Sequence, residues 1–132
     1  MNITQRLQEL DSTLILHNEG DWQNPLNPEK PGFTSFNDAG VETEIGEFLY
    51  GLIRILKAKN VLETGTHIGV GASYIGMALK DNKEGHLETI EFLPEIHQKA
   101  VKRISDLGLA DVVTCHLVMR VHSLQMNVLS IS

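Results

Sequence analysis

At 132 residues the chain has the length of one domain, and 42% hydrophobic residues give it material for a modest core. A formal net charge of −6 argues against the phosphate-neutralising surface of a nucleic-acid binder, and a single cysteine, Cys115, rules out an internal disulfide or a thiolate metal cluster. The opening MNITQRLQELDSTLIL lacks the basic head and apolar run of a secretory signal, and no apolar run approaches the ~20 residues that span a bilayer, so a soluble, cytoplasmic protein without a membrane partner is expected.

In chain order, Ile3, Leu7, Leu10 and Leu14 fall at helical spacing and predict a first helix over residues 3 to 17. The next stretch, HNEGDWQNPLNPEKPGFTSFNDAG from His17 to Gly40, is loop chemistry, and connections of that length tend to be lids or binding loops. Its aromatics Trp22, Phe33 and Phe36 are read as pins holding the loop to the body, so residues 1–40 are expected to form a cap or lid. A second helix is predicted from Glu42 to Lys59, with Ile45, Phe48, Leu49, Leu52, Ile53 and Leu56 as its buried stripe. Glu42, Glu44 and Glu47 stand at its start and Lys57 and Lys59 at its end, as the helix dipole prefers.

VLET then begins a strand, a helix runs from about Gly71 to Lys80, and HLETIEF forms a second strand. Pro94 sits in the first turn of the following helix, whose apolar face is Ile96, Ala100, Val101, Ile104 and Leu107 and whose stop is Gly108. Lys99, Lys102 and Arg103 are read as its solvated outer face, and DVVTCHLV is a third strand. The order β-α-β-α-β with short joints predicts an α/β fold, a doubly wound, Rossmann-like parallel sheet covered by helices through right-handed crossovers.

Ligands in such sheets bind beyond the carboxyl ends of the strands, near the first strand-to-helix turn. That turn lies in VLETGTHIGVGASYIGMAL, where Gly65, Gly69 and Gly71 remove β-carbons and the helix start beyond offers N–H groups to an anion. A dinucleotide loop wants G-x-G-x-x-G, but the spacing here is G-x-x-x-G-x-G, with Glu63 two residues ahead of the first glycine. A carboxylate there repels a pyrophosphate and suits a ligand with an ammonium group, such as S-adenosylmethionine. Glu91 closes the next strand, twenty positions after Gly71, where a carboxylate accepts both ribose hydroxyls of either cofactor. The plain alternatives are packing alone for the glycines, a solvated strand-end acid for Glu91 and a solvent-facing loop residue for His67. His86, His97, His116 and His122 show no metal-ligand spacing, and Cys115 is read as a small apolar residue.

From about Asp38 to Leu117 the chain resembles class I S-adenosylmethionine-dependent methyltransferases, closest to the small-molecule O-methyltransferases of the catechol and caffeoyl-CoA type. The matching residues are ETEIGEFLYGLIRILKAKNVLETGTHIGVGASYIGMAL and LETIEFLPEIHQKA. The resemblance implies a seven-stranded methyltransferase fold, of which this chain shows part, and a small-molecule methyl acceptor. It assigns Glu63, Gly65, His67, Gly69 and Gly71 to the cofactor loop and Glu91 to the ribose. Part of that family uses magnesium, for which no ligand is visible here. The cofactor-binding core is expected over residues 41–117. Residues 118–132, VMRVHSLQMNVLSIS after the last strand, form a divergent or shortened tail without any acid, so catalytic residues go unassigned and an inactive form is one expectation. The first strand would present an open edge that invites self-association, unless MNVLSIS occupies it. Two other readings stay open: an NAD-binding oxidoreductase module, and a fragment without catalysis.

Overall fold

Asn2 starts the first helix, α1 (Ile3–Leu10): its side chain accepts the Gln5 N–H while the Gln5 side chain accepts the Asn2 N–H. In a computed structural model of the chain, which describes residues 1–19, 33–36, 41–118 and 129–131, α1 ends well short of residue 17. The reason is Asp11, whose carboxylate accepts both the N–H and the hydroxyl of Thr13 and turns the chain, an alternative to helix that short polar side chains favour. Leu14 is buried all the same.

The chain then forms β1 (Leu16–Glu19), antiparallel to β2 (Phe33–Phe36) with Leu16 opposite Phe36. The ends of the expected loop are thus a strand pair. Phe36 is fully buried and stacks on Tyr74 with ring centroids 6.5 Å apart, the pin expected of it. Trp22 lies outside the described residues, and only the backbone of Phe33 falls within them.

Helix α2 (Thr43–Leu56) ends at Lys57, which adopts the left-handed conformation. Its buried residues are Thr43, Gly46 and Ile53, with Leu49 and Tyr50 partly covered. Of the stripe predicted for the core, Ile45, Phe48 and Leu56 are exposed, as is Ile55. Apolar residues surround more of this helix than one neighbour can cover, and Gly46 decides which side turns inward. A β-carbon there would stand 2.5 Å from the Tyr74 ring, so the ring fits only against glycine. Thr4 ties α1 to the same place, its hydroxyl bonding Glu47 at 2.6 Å and the Tyr74 hydroxyl at 2.7 Å.

The remaining elements are β3 (Asn60–Thr64), α3 (Val70–Asn82), β4 (His86–Glu91), α4 (Pro94–Asp106), β5 (Val113–Leu117) and β6 (Leu129–Ile131). They make a four-stranded sheet in the order β5-β4-β3-β6, with β3, β4 and β5 parallel, as expected of the α/β class. Beside β3, β6 runs antiparallel, Val61 facing Ile131 and Glu63 facing Leu129. The edge expected to stand open is therefore paired along these residues, and an antiparallel partner does not need the long crossover that a parallel one would.

Val61, Leu87, Thr89 and Val113 point to one face and are buried, whereas Leu62, Glu88, Thr114 and His116 point to the other and are exposed. Among the described residues the helices lie on the first face only, so this part of the sheet is wound on one side rather than two. The helix stop at Gly108 holds, but α4 departs from its expected faces: Val101 is exposed, and Arg103 is buried. The Arg103 guanidinium donates to Asp11 Oδ2 at 2.9 Å, to the Ile68 carbonyl at 2.6 Å and to Thr13 Oγ1 at 3.2 Å. Burial pushes the Asp11 carboxyl upward, yet the bonds from Thr13 and Arg103 hold it below the usual carboxylate range. Lys99 and Lys102 face solvent as expected.

Candidate functional site

Parallel register aligns Glu63, Thr89 and Cys115 in one row across β3, β4 and β5, so their side chains share the buried face. The Thr89 hydroxyl donates to Glu63 Oε1 at 2.7 Å and lies 2.6 Å from the Thr66 hydroxyl. Burial pushes the Glu63 carboxyl up to about 7, against the opposing effect of the Thr89 bond. Its other oxygen reaches under the first turn of α3, where a β-carbon on Gly71 would approach it to 2.8 Å. A side chain at Gly71 would have to displace that carboxyl end. The Cys115 thiol is pushed up to about 11, by burial and then by the Glu63 charge, so it is not a thiolate at neutral pH.

From Gly65 to Gly69 the chain turns sharply. Gly65 (φ 80°), His67 (φ 50°) and Gly69 (φ 87°) all occupy the left-handed region, the two glycines without the steric cost that His67 bears. The Gly65 and Thr66 N–H groups both donate to the Ile90 carbonyl, at 2.8 and 3.1 Å, which fixes the loop on the end of β4. Gly69 opens α3 and packs against α4, where a β-carbon would stand 3.2 Å from Ala100 Cα. With no side chain at that cap, Gly69 offers the first turn of α3 no side-chain acceptor.

Glu91, buried at the end of β4, accepts the His67 N–H at 3.0 Å on one oxygen and the Phe92 N–H at 3.1 Å on the other. Each oxygen keeps a further lone pair for a ligand hydroxyl. The imidazole of His67 faces solvent, so what this residue gives the loop is its N–H and its turn. The six residues singled out in the sequence therefore converge: Gly65, His67, Gly69 and Gly71 build the loop, Glu63 lies beneath its exit and Glu91 is bonded to its middle.

Sequence reasoning missed Thr66, Thr89 and Arg103. Thr89 was within reach, since strand alternation puts it on the same face as Glu91. Thr66 carried no such signal, and Arg103 hid behind its charge. Its guanidinium holds the Ile68 carbonyl between the two left-handed positions His67 and Gly69.

The other histidines are engaged elsewhere: His86 with Thr114 at 2.7 Å, His97 with the Cys115 carbonyl at 3.0 Å and His116 with Glu88 at 3.3 Å. His122 lies outside the described residues. Among the described residues no three His, Cys, Asp or Glu side chains gather as a metal site would require, and no helix is long and apolar enough to cross a membrane.

A family model described as O-methyltransferase matches residues 31–126. No curated protein matches the chain. Among solved structures, the O-methyltransferase TomG from Streptomyces achromogenes, involved in tomaymycin synthesis and crystallised with SAM, is 31% identical over 61% of this chain and 35% of its own, with a TM-score of 0.56. A methyltransferase from Geobacter sulfurreducens is 23% identical over 62% of this chain and 42% of its own (TM-score 0.56). The SAH-bound Podospora anserina methyltransferase PaMTH1 is 17% identical over 88% of this chain and 47% of its own (TM-score 0.55). The last two bear on the fold alone. The chain thus spans between 35% and 47% of the length of these proteins.

Proposed function

The chain belongs to the O-methyltransferase family, and from that membership we propose that its glycine loop binds S-adenosylmethionine for methyl transfer to a hydroxyl of a small molecule. The observation that carries it is the pair of carboxyl groups on one loop, Glu63 beneath Gly71 and Glu91 clamped to the His67 N–H. Their chemistry suits the two polar ends of that cofactor. Glu63, poorly hydrated and pushed up to about 7, gains most from a cationic partner and would take the ammonium group. Glu91, held by two backbone N–H groups with lone pairs to spare, would accept the ribose hydroxyls. The first-turn N–H groups of α3 offer a place for the ligand carboxylate. When bound, S-adenosylmethionine supplies a methyl group on a sulfonium, ready for displacement by an acceptor oxygen.

In this scheme residues 41–117 hold the cofactor, residues 1–40 cap it and residues 118–132 form a divergent tail. Acceptor-binding and proton-accepting groups are not assigned, and methyl transfer itself is the family's activity carried over to this chain. Magnesium enters only through the family likeness, since no ligand set for it stands among the described residues. A cytoplasmic location is part of the proposed scheme.

Calorimetric titration of the 132-residue chain with S-adenosylhomocysteine, the product form of the cofactor, tests the proposal. Micromolar binding is expected, together with at least a tenfold loss for Glu91→Ala and no binding of NAD in a parallel titration. A folded chain that fails to bind S-adenosylhomocysteine would overturn it.

A further inference from the structure

Thr66 and Thr89 bring hydroxyls to places where packing asks for none. Thr89 stands within β4 and is fully buried, and Thr66, just after Gly65 in the loop, is buried as well. Valine fills the same volume and has no polar atom to bury, so the two hydroxyls need a reason of their own.

Their bonds have a direction. A threonine hydroxyl has one proton to give. That of Thr89 goes to Glu63 Oε1 at 2.7 Å, so across the 2.6 Å between the two hydroxyls it is Thr66 that donates. The run from Thr66 through Thr89 to Glu63 therefore ends on the carboxyl group with both protons pointing towards it. Each bond in such a run polarises the next, and a donor aimed at a carboxylate favours its charged form. Burial acts on Glu63 in the opposite sense. Oε2, the oxygen that Thr89 does not engage, lies under the first turn of α3, where Gly71 leaves it room.

The other titratable groups described on this face of the sheet are Cys115 and Glu91. The Cys115 thiol of β5 stays protonated near neutral pH, and Glu91 of β4 is held by the His67 and Phe92 N–H groups. From α3 comes Gly71, and β6 sets Leu129 opposite Glu63; neither titrates.

We propose that Thr89, with Thr66 behind it, is a positioning pair that favours the ionised form of Glu63 and leaves Oε2 to the cation of the ligand, acting on the ligand only through that carboxylate. The ligand half of this rests on the reading of the loop as an S-adenosylmethionine site; the hold on Glu63 does not.

In the cofactor-free 132-residue chain, the side-chain carboxyl carbon of Glu63, assigned with Glu63→Gln, is titrated by NMR. Thr89→Val should raise the midpoint by about one pH unit and Thr66→Val by about half as much, each readable if the other does not fold. Thr89→Ser, which keeps the hydroxyl, should stay within about 0.3 of the parent. Against the parent, Thr89→Val should bind S-adenosylhomocysteine about tenfold more weakly at pH 6 and within about twofold at pH 9, where both carboxyls are ionised. A merely structural hydroxyl would weaken binding alike at both pH values and leave the midpoint in place. A midpoint unmoved by Thr89→Val or by Thr66→Val, or an affinity ratio that does not change with pH, would overturn the proposal. Moved midpoints alongside a parent that binds no S-adenosylhomocysteine would instead overturn the cofactor reading and leave the hold on Glu63 standing.

Discussion

Glu63 couples the site to pH in two opposite ways. Its carboxyl stands up to about 7 in the folded chain against an ordinary 4.5, so the native state holds a proton that the unfolded state has lost between those values. Stability is therefore full below pH 4.5 and declines as pH rises to about 7, by on the order of 1–3 kcal/mol. A cationic ligand needs the ionised form, so affinity for S-adenosylhomocysteine should fall about tenfold per pH unit below 7 and level off above it. Glu63→Gln should remove both trends: melting at pH 8 moves above that of the parent, melting at pH 5 does not, and binding is lost at either pH. Thermal melts and titrations of the two proteins at both pH values check this. Gly71→Ala probes the same carboxyl by volume. The new methyl would displace Glu63 Oε2 from 2.8 Å, and because a side-chain end can swing aside, stability should change by less than ~1 kcal/mol while affinity drops at least tenfold.

Arg103 has the opposite profile, with structure at stake before binding. It is nearly buried and serves three acceptors, one of them the charged Asp11. Arg103→Met should cost roughly 3–5 kcal/mol in urea unfolding, the usual result of leaving a buried charge without its partner. Lysine, which lacks the planar fork, should recover only part of the loss.

At the scale of elements, what was legible followed the period of the sequence. The strands β3, β4 and β5 and the helices α3 and α4 emerged close to their expected bounds, because β-branched runs, glycine stops and Pro94 mark them locally. That six candidate residues gather on one loop was legible for a related reason: glycines and acids at the ends of parallel strands lie together by topology. What failed had one local cause and one far along the chain. Asp11 ends α1 through a side-chain turn that the apolar spacing of Leu10 and Leu14 conceals. The inward face of α2 was misjudged because its apolar residues encircle it, and only the Tyr74 ring, 28 positions beyond Gly46, selects the side. Gly46→Ala tests that account. Overpacking against a fully buried ring should cost about 1–3 kcal/mol, read as a lower urea midpoint at unchanged slope.

At the scale of the molecule, the helices among the described residues gather on one face of the sheet and leave Leu62, Glu88, Thr114 and His116 facing outward. The longer proteins that this chain resembles are more than twice the length it spans in them, and the glycine loop lies within residues 31–126, which the O-methyltransferase family model matches. The guanidinium of Arg103 has a consequence in time as well as in space. It ties the glycine loop to Asp11, which lies 92 positions before Arg103, and closing so long a contact is slow. During synthesis the motif emerges whole well before the residue that holds its Ile68 carbonyl, so a nascent chain cut after β4 would carry every glycine of the site without the clamp that sets them.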